Sequence, residues 1–158
     1  MKDIQKKHLR EHVGLVLQEP FLFSKTIASN LKIVNPDITE EEMFNSIKIA
    51  SLDQTINDLK DGLNTYVGER GVSLSGGQKQ RISIARTLVT KAPVLIFDDS
   101  LSAVDTETDI KIRQALKQRA KDKTTIIVTH RVSTAKDADH IIILENGKVV
   151  DDIELIQN

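Results

Sequence analysis

An α/β domain with a mostly parallel sheet is predicted by two features of the sequence. Short apolar runs alternate with segments of helical periodicity, and several of the runs end directly in a polar group. The clearest is Val94 to Phe97, four apolar residues feeding two adjacent carboxylates, Asp98 and Asp99. An unbroken apolar run is what a central parallel strand requires, because both of its faces are covered. The 158 residues suffice for one domain with a real core.

The elements follow in chain order. "VGLVL" (13–17) reads as a short buried strand and "QEPFLF" as the loop after it. "TIASNLKI" (26–33) reads as a short helix closed by Asn35-Pro36. Thr39 with Glu42 forms a capping box, and Met43, Ile47 and Ala50 recur at helical spacing behind it. The stretch from Leu59 to Gln78 is loop-like, with five glycines between positions 62 and 77. A helix beginning near Gly77 carries Ile82, Ala85, Leu88 and Val89 on one face, and Lys91-Ala92-Pro93 is expected to stop it. After "VLIF" come a helix from about Thr106 to Ala120, the strand "TIIVT", a short helix after Arg131, the strand "HIIIL" and then "KVV". Asn146-Gly147 between the last two is a hairpin signal.

Composition narrows the function classes. Apolar residues make up 39% of the chain, as in an ordinary folded domain. Lys plus Arg is 22 and Asp plus Glu is 23, so the net charge is −1, with no electrostatic footprint for nucleic acid. Absence of cysteine excludes disulfides and thiolate metal sites. No apolar run approaches the ~20 residues of a membrane span. The opening "MKDIQKKHLREH" lacks the apolar segment of a signal peptide. The chain by itself is expected to be soluble and cytoplasmic.

Four motifs carry chemistry. In "LSGGQKQR" (74–81), Ser75 and Gln78 make an S-x-x-Q capping box. Gly76 and Gly77 strip side chains from the first helical turn, so its N–H groups can receive an anion. An apolar strand ending in Asp98 has the Walker B arrangement, which delivers a carboxylate to Mg²⁺. His130 ends the run "IIVT", and Gln18 ends "VGLVL".

Together these residues resemble the nucleotide-binding domain of ATP-binding cassette (ABC) transporters, over nearly the whole chain from about Asp3 to Val150. "LSGGQ" resembles the family signature (Leu74, Ser75, Gly76, Gly77, Gln78). Gln18 resembles the Q-loop, "SAVD" with Ser102 and Asp105 the D-loop, and His130 the switch histidine. "LQEPFLFSKTIASNL" and "YVGERGVSLSGGQ" resemble the exporter branch, whose X-loop (Gly68, Glu69, Arg70, Gly71) contacts the membrane domains. The implied fold is a P-loop NTPase-like ABC core with a helical signature subdomain. The helical part would span about 19–90, and 1–18 with 91–158 would form the RecA-like core. The resemblance further implies ATP and Mg²⁺ as cofactors and two domains sandwiching two ATP molecules. The signature serves the partner's ATP, Asp98 and Gln18 serve Mg²⁺, and Asp99, His130 and Gln18 serve hydrolysis. Implied partners are a second nucleotide-binding domain and the transmembrane domains of an exporter, at the cytoplasmic face of the membrane.

Two departures modify this expectation. The residue after the Walker B aspartate is usually Glu in the family and here is Asp99, one methylene shorter. Misplacement by ~1 Å can cost ~10²-fold in rate. "DDS" resembles the degenerate subunit of heterodimeric exporters, in which one composite site hydrolyses poorly. Second, no G-x-x-x-x-G-K-[ST] occurs, and only seventeen residues precede Gln18. That motif supplies most phosphate contacts. The chain is therefore expected to be the C-terminal portion of the domain, without the N-terminal β-strands and Walker A. Poor solubility and weak ATP binding are expected of it alone. Two other readings stand beside the exporter ATPase. One is a soluble ABC ATPase, against which the exporter-like X-loop counts. The other is a non-catalytic partner that offers only its signature helix.

Overall fold

A computed structural model describes residues 4–69, 72–119 and 123–155. It contains two compact units, Met1–Val128 and Thr129–Asn158.

The first unit opens with α1 (Lys6–His12), β1 (Val13–Val16), α2 (Ile27–Lys32), α3 (Glu40–Ile49) and α4 (Asp53–Asp58). A 3₁₀ turn at Gly62–Asn64 follows, then α5 (Gly76–Leu88), β2 (Val94–Asp98), α6 (Thr106–Arg119) and β3 (Thr124–Val128). The three strands form a parallel sheet in the order β1-β2-β3. Val16 pairs with Phe97 and Asp98 with Val128, so the strands end near one another at their C-terminal edges. The expected α/β architecture with "VLIF" at its centre is present. Phe97 is fully buried, as are Val16, Ile27, Leu31, Ile82 and Ile84 around it.

Local chemistry explains the helix starts. Thr26 Oγ1 accepts from the Ser29 amide at the head of α2. Thr39 and Glu42 form the anticipated capping box on α3, and Ser75 with Gln78 forms the one on α5. The anticipated face of α5 is buried at Ile82, Ala85, Leu88 and Val89. Gly14 lets that helix approach the sheet: a Cβ there would lie 2.9 Å from Leu95 and 3.0 Å from Thr87.

Three details differ from expectation. Helix α5 ends at Leu88, before Lys91-Ala92-Pro93. Its terminal carbonyls are already satisfied there, because Asn35 Nδ2 donates to the Val89 carbonyl and Thr90 N–H to that of Thr87. Helices α1 and α4 were not anticipated. The first buries none of its residues and so has no apolar stripe, and the second is six residues long. Ala120, the expected end of α6, lies outside the described residues.

The second unit holds α7 (Val132–Ala135) and a hairpin of β4 (His140–Glu145) and β5 (Lys148–Glu154). Asn146 and Gly147 both have positive φ, 50° and 76°, as a type I′ turn demands. β5 runs well beyond the expected "KVV".

Candidate functional site

The C-terminal edge of the parallel sheet gathers polar groups from three segments of the first unit. Asp98 is the last residue of β2 and is exposed. Asp99 follows with φ 43°, in the left-handed region, which Asp tolerates better than most residues. That backbone is held on two sides. The Asp99 N–H donates to the Val128 carbonyl at 3.0 Å, and Ser102 Oγ donates to the Asp99 carbonyl at 2.7 Å. Gln18, two residues past β1, donates from Nε2 to Asp99 Oδ2 at 3.4 Å. Two residues 81 apart in sequence thus meet at one edge. The side-chain oxygens of Gln18, Asp98 and Asp99 are donors of the kind Mg²⁺ accepts.

The start of α5 is a second feature of the same unit. Ser75 Oγ accepts from the Gln78 N–H at 3.2 Å, and Gln78 Oε1 accepts from the Ser75 N–H at 2.9 Å. The Lys79 amide is taken by the Ser75 carbonyl. Among the described residues, the amides of Gly76 and Gly77 are left without an acceptor. The two glycines, however, do not serve one purpose. A Cβ on Gly76 would meet nothing within 4 Å, whereas one on Gly77 would stand 3.1 Å from the Ala103 carbonyl. Gly76 keeps an approach open; Gly77 lets the turn bearing Ala103 pack on the helix. Leu74 is 7% exposed and anchors the segment in the core.

Other sequence-predicted residues fall as follows. Asp105 Oδ1 accepts from the Thr108 N–H at 3.0 Å and so begins α6. That hydrogen bond holds its carboxyl pKa below the usual carboxylate value. Ser102 and Asp105 lie on the turn between β2 and α6. Gly68 has φ 93°, and a Cβ on it would be 2.9 Å from the Ser24 backbone. Glu69 follows it, exposed. Val67 N–H donates to the Lys25 carbonyl, and Ile27 N–H to that of Thr65, so the X-loop candidate begins pinned to the segment after Gln18. Arg70 and Gly71 lie outside the described residues. His130 belongs to the second unit, two residues past the end of β3.

Sequence reasoning missed several supporting residues. Asn30 is fully buried and satisfied. Its Oδ1 accepts from the Phe23 N–H at 2.9 Å and its Nδ2 donates to the carbonyls of Phe23 and Thr26, which fixes the loop after Gln18. The signal was a polar residue inside an otherwise apolar helical stripe. Gln80 donates from Nε2 to the Leu17 carbonyl. Arg86 lies 5.7 Å from the Phe23 ring centroid, and its Nη1 is buried with no partner among the described residues. Burial also lowers its pKa below the usual value. Both residues border a groove of about 610 Å³ that also takes in Arg10, Ile33 and Val34.

A strand-end carboxylate pair, a glutamine just past the end of the neighbouring strand and a glycine-opened helix start are the parts of a nucleotide-hydrolysing α/β domain. A family model described as ABC transporter matches residues 1–102, and the chain belongs to that family. It is 47% identical over 151 residues to YgaD of Bacillus subtilis (strain 168), named as a multidrug export ATP-binding/permease protein. It is 46% identical over 151 residues to SAOUHSC_02003 of Staphylococcus aureus (strain NCTC 8325 / PS 47), which carries the same kind of name. Each match covers 96% of this chain and 26% of the relative. The chain thus spans about a quarter of the length of the curated relatives it matches. A solved bacterial Atm1-family ABC exporter with ATP bound superposes with a TM-score of 0.88 at 38% identity. That superposition covers 94% of this chain and 26% of the exporter chain.

Proposed function

We propose that this chain is part of the ATP-hydrolysing engine of an ABC exporter and lends its signature helix to a partner's ATP. The observation that carries this reading is the pair of unsatisfied first-turn amides at Gly76 and Gly77, beside a side-chain-free approach at Gly76. Such a helix start suits the terminal phosphate of a nucleotide brought by another domain.

In the chain's own site, Asp98 and the Gln18 carbonyl would hold Mg²⁺, which when bound neutralises charge on the phosphates. Asp99 is the group placed to orient or accept a proton from the attacking water. Its short side chain and its contact with Gln18 make it a poor one, so this site turns over slowly. His130 is assigned to the γ-phosphate and Asp105 to the seam between the two domains. The X-loop residues Gly68 to Gly71, and the groove beside Phe23 and Arg86, are assigned to the membrane-spanning part of the transporter. The Nη1 of Arg86, without a partner among the described residues, suits an acidic side chain there. No G-x-x-x-x-G-K-[ST] is present in these 158 residues, so they alone bind ATP weakly.

The test is capture of a complete nucleotide-binding domain by this chain. We expect retention with Mg²⁺-ATP and loss without nucleotide, and loss also on Ser75→Arg. Retention that ignores ATP would overturn the composite-site reading.

A further inference from the structure

Gln80 lies on α5, four residues after Gly76 and three after Gly77, and therefore on the same helical face. It is 0% exposed, which is unusual for glutamine. Its Nε2 donates to the Leu17 carbonyl at 3.0 Å across 63 residues of sequence. Its Oε1 is equally buried and has no donor among the described residues. A buried amide left half satisfied is a poor way to fill space; methionine, of similar length, would fill it without an unmet polar atom. Packing therefore does not account for a glutamine here, and its single bond points to what does.

Leu17 stands between the last residue of β1, Val16, and Gln18. The ladder with β2 ends at the Val16–Phe97 pair. The next carbonyl along the strand is held instead by a side chain from α5. Two turns beyond Gln80 on the same helix, Thr87 Oγ1 lies 3.4 Å from the Leu15 carbonyl. Only the Gln80 bond falls where the strand gives way to the loop that carries Gln18.

We propose that Gln80 is a positioning residue. It fixes the backbone entry to Gln18 against the signature helix, so that a nucleotide held at the Gly76–Gly77 end of α5 is felt at the Gln18–Asp99 contact of the same chain. What it couples rests on the reading of those residues as nucleotide contacts; that it positions Gln18 does not.

The experiment uses the complete protein that carries this chain, with a nitroxide on Glu19→Cys beside Gln18. In Gln80→Met, and in Gln80→Asn, which shortens the reach, we expect the immobilised component of the label spectrum to fall about twofold or more. Thr87→Val, which touches the same helix and strand away from Gln18, should leave it unchanged. An unchanged spectrum in both Gln80 variants would overturn the proposal, as would an equal change in Thr87→Val. Turnover is read in parallel as a double-mutant cycle with Gln18→Ala. Gln80→Met should lower kcat about tenfold with KM for ATP little changed, and should lower it no further in the Gln18→Ala background. Independent, multiplicative losses would mean that Gln80 acts by general stability and not through Gln18. If the protein turns over no ATP at all, the nucleotide reading fails, and the label spectrum still decides whether Gln80 sets the position of Gln18.

Discussion

At Asp99 two physical demands meet. The left-handed backbone at φ 43° favours a short polar side chain, while the proposed role in water activation favours reach. Asp99→Glu in the complete transporter adds one methylene of reach and some backbone strain. We expect turnover at this site to rise ~10-fold or more, with a slightly lower melting temperature. Steady-state ATPase assays with the partner site silenced would check it, and unchanged turnover would count against Asp99 as the limiting group. The two signature glycines should separate in a similar way. Gly76→Ala should leave folding stability within about 0.5 kcal/mol, since nothing stands within 4 Å, yet weaken ATP-dependent capture of the partner. Gly77→Ala should lower stability itself, because its Cβ presses on the Ala103 carbonyl. Urea unfolding of both variants distinguishes them.

The helices are set by their ends. Thr39→Ala removes one half of a capping box and should cost about 1 kcal/mol, read from the urea midpoint. Asp105 caps α6 as a carboxylate, and its folded pKa is lowered chiefly by the Thr108 N–H. Its contribution is therefore complete above the unfolded value of ~3.9 and is lost as pH falls through the lower folded value. Acid titration should show α6 fraying in that range, and Asp105→Asn should make it insensitive to pH. These ends were legible in the sequence, because a cap acts on residues three positions away and so leaves a local pattern. The starts at Thr39 and Ser75 are of this kind. The end of α5 was not legible, since it depends on Asn35 reaching Val89 across 54 residues. Gln80 and Asn30 escaped for the same reason: "LSGGQKQR" does not say which glutamine turns inward, and only the packing of α5 on β1 decides it.

At a larger scale, more of the first unit's buried apolar residues come from its helices than from its strands, and Phe97 on the central strand is among its largest fully buried side chains. Phe97→Ala on β2 should destabilise by about 3–5 kcal/mol, measurable by thermal or urea unfolding. Where chain segments meet at the sheet edge, the apolar runs mark which polar residues are brought there. Gln18 with Asp99 is the example: each ends an apolar run, and parallel pairing of β1 with β2 brings those ends together. Spacing alone could not supply the contact of the Ala103 turn with the head of α5. The hydrogen that Gly77 presents to the Ala103 carbonyl joins the part of the chain assigned to its own ATP and the part assigned to its neighbour's. On the proposed composite-site reading, a subunit of this design can drift at Asp99 and still be kept by selection for what it gives its partner. Drift at Gly77 has no such freedom, since any side chain there pushes on the turn bearing Ser102 and Asp105, and both sites inherit the damage at once.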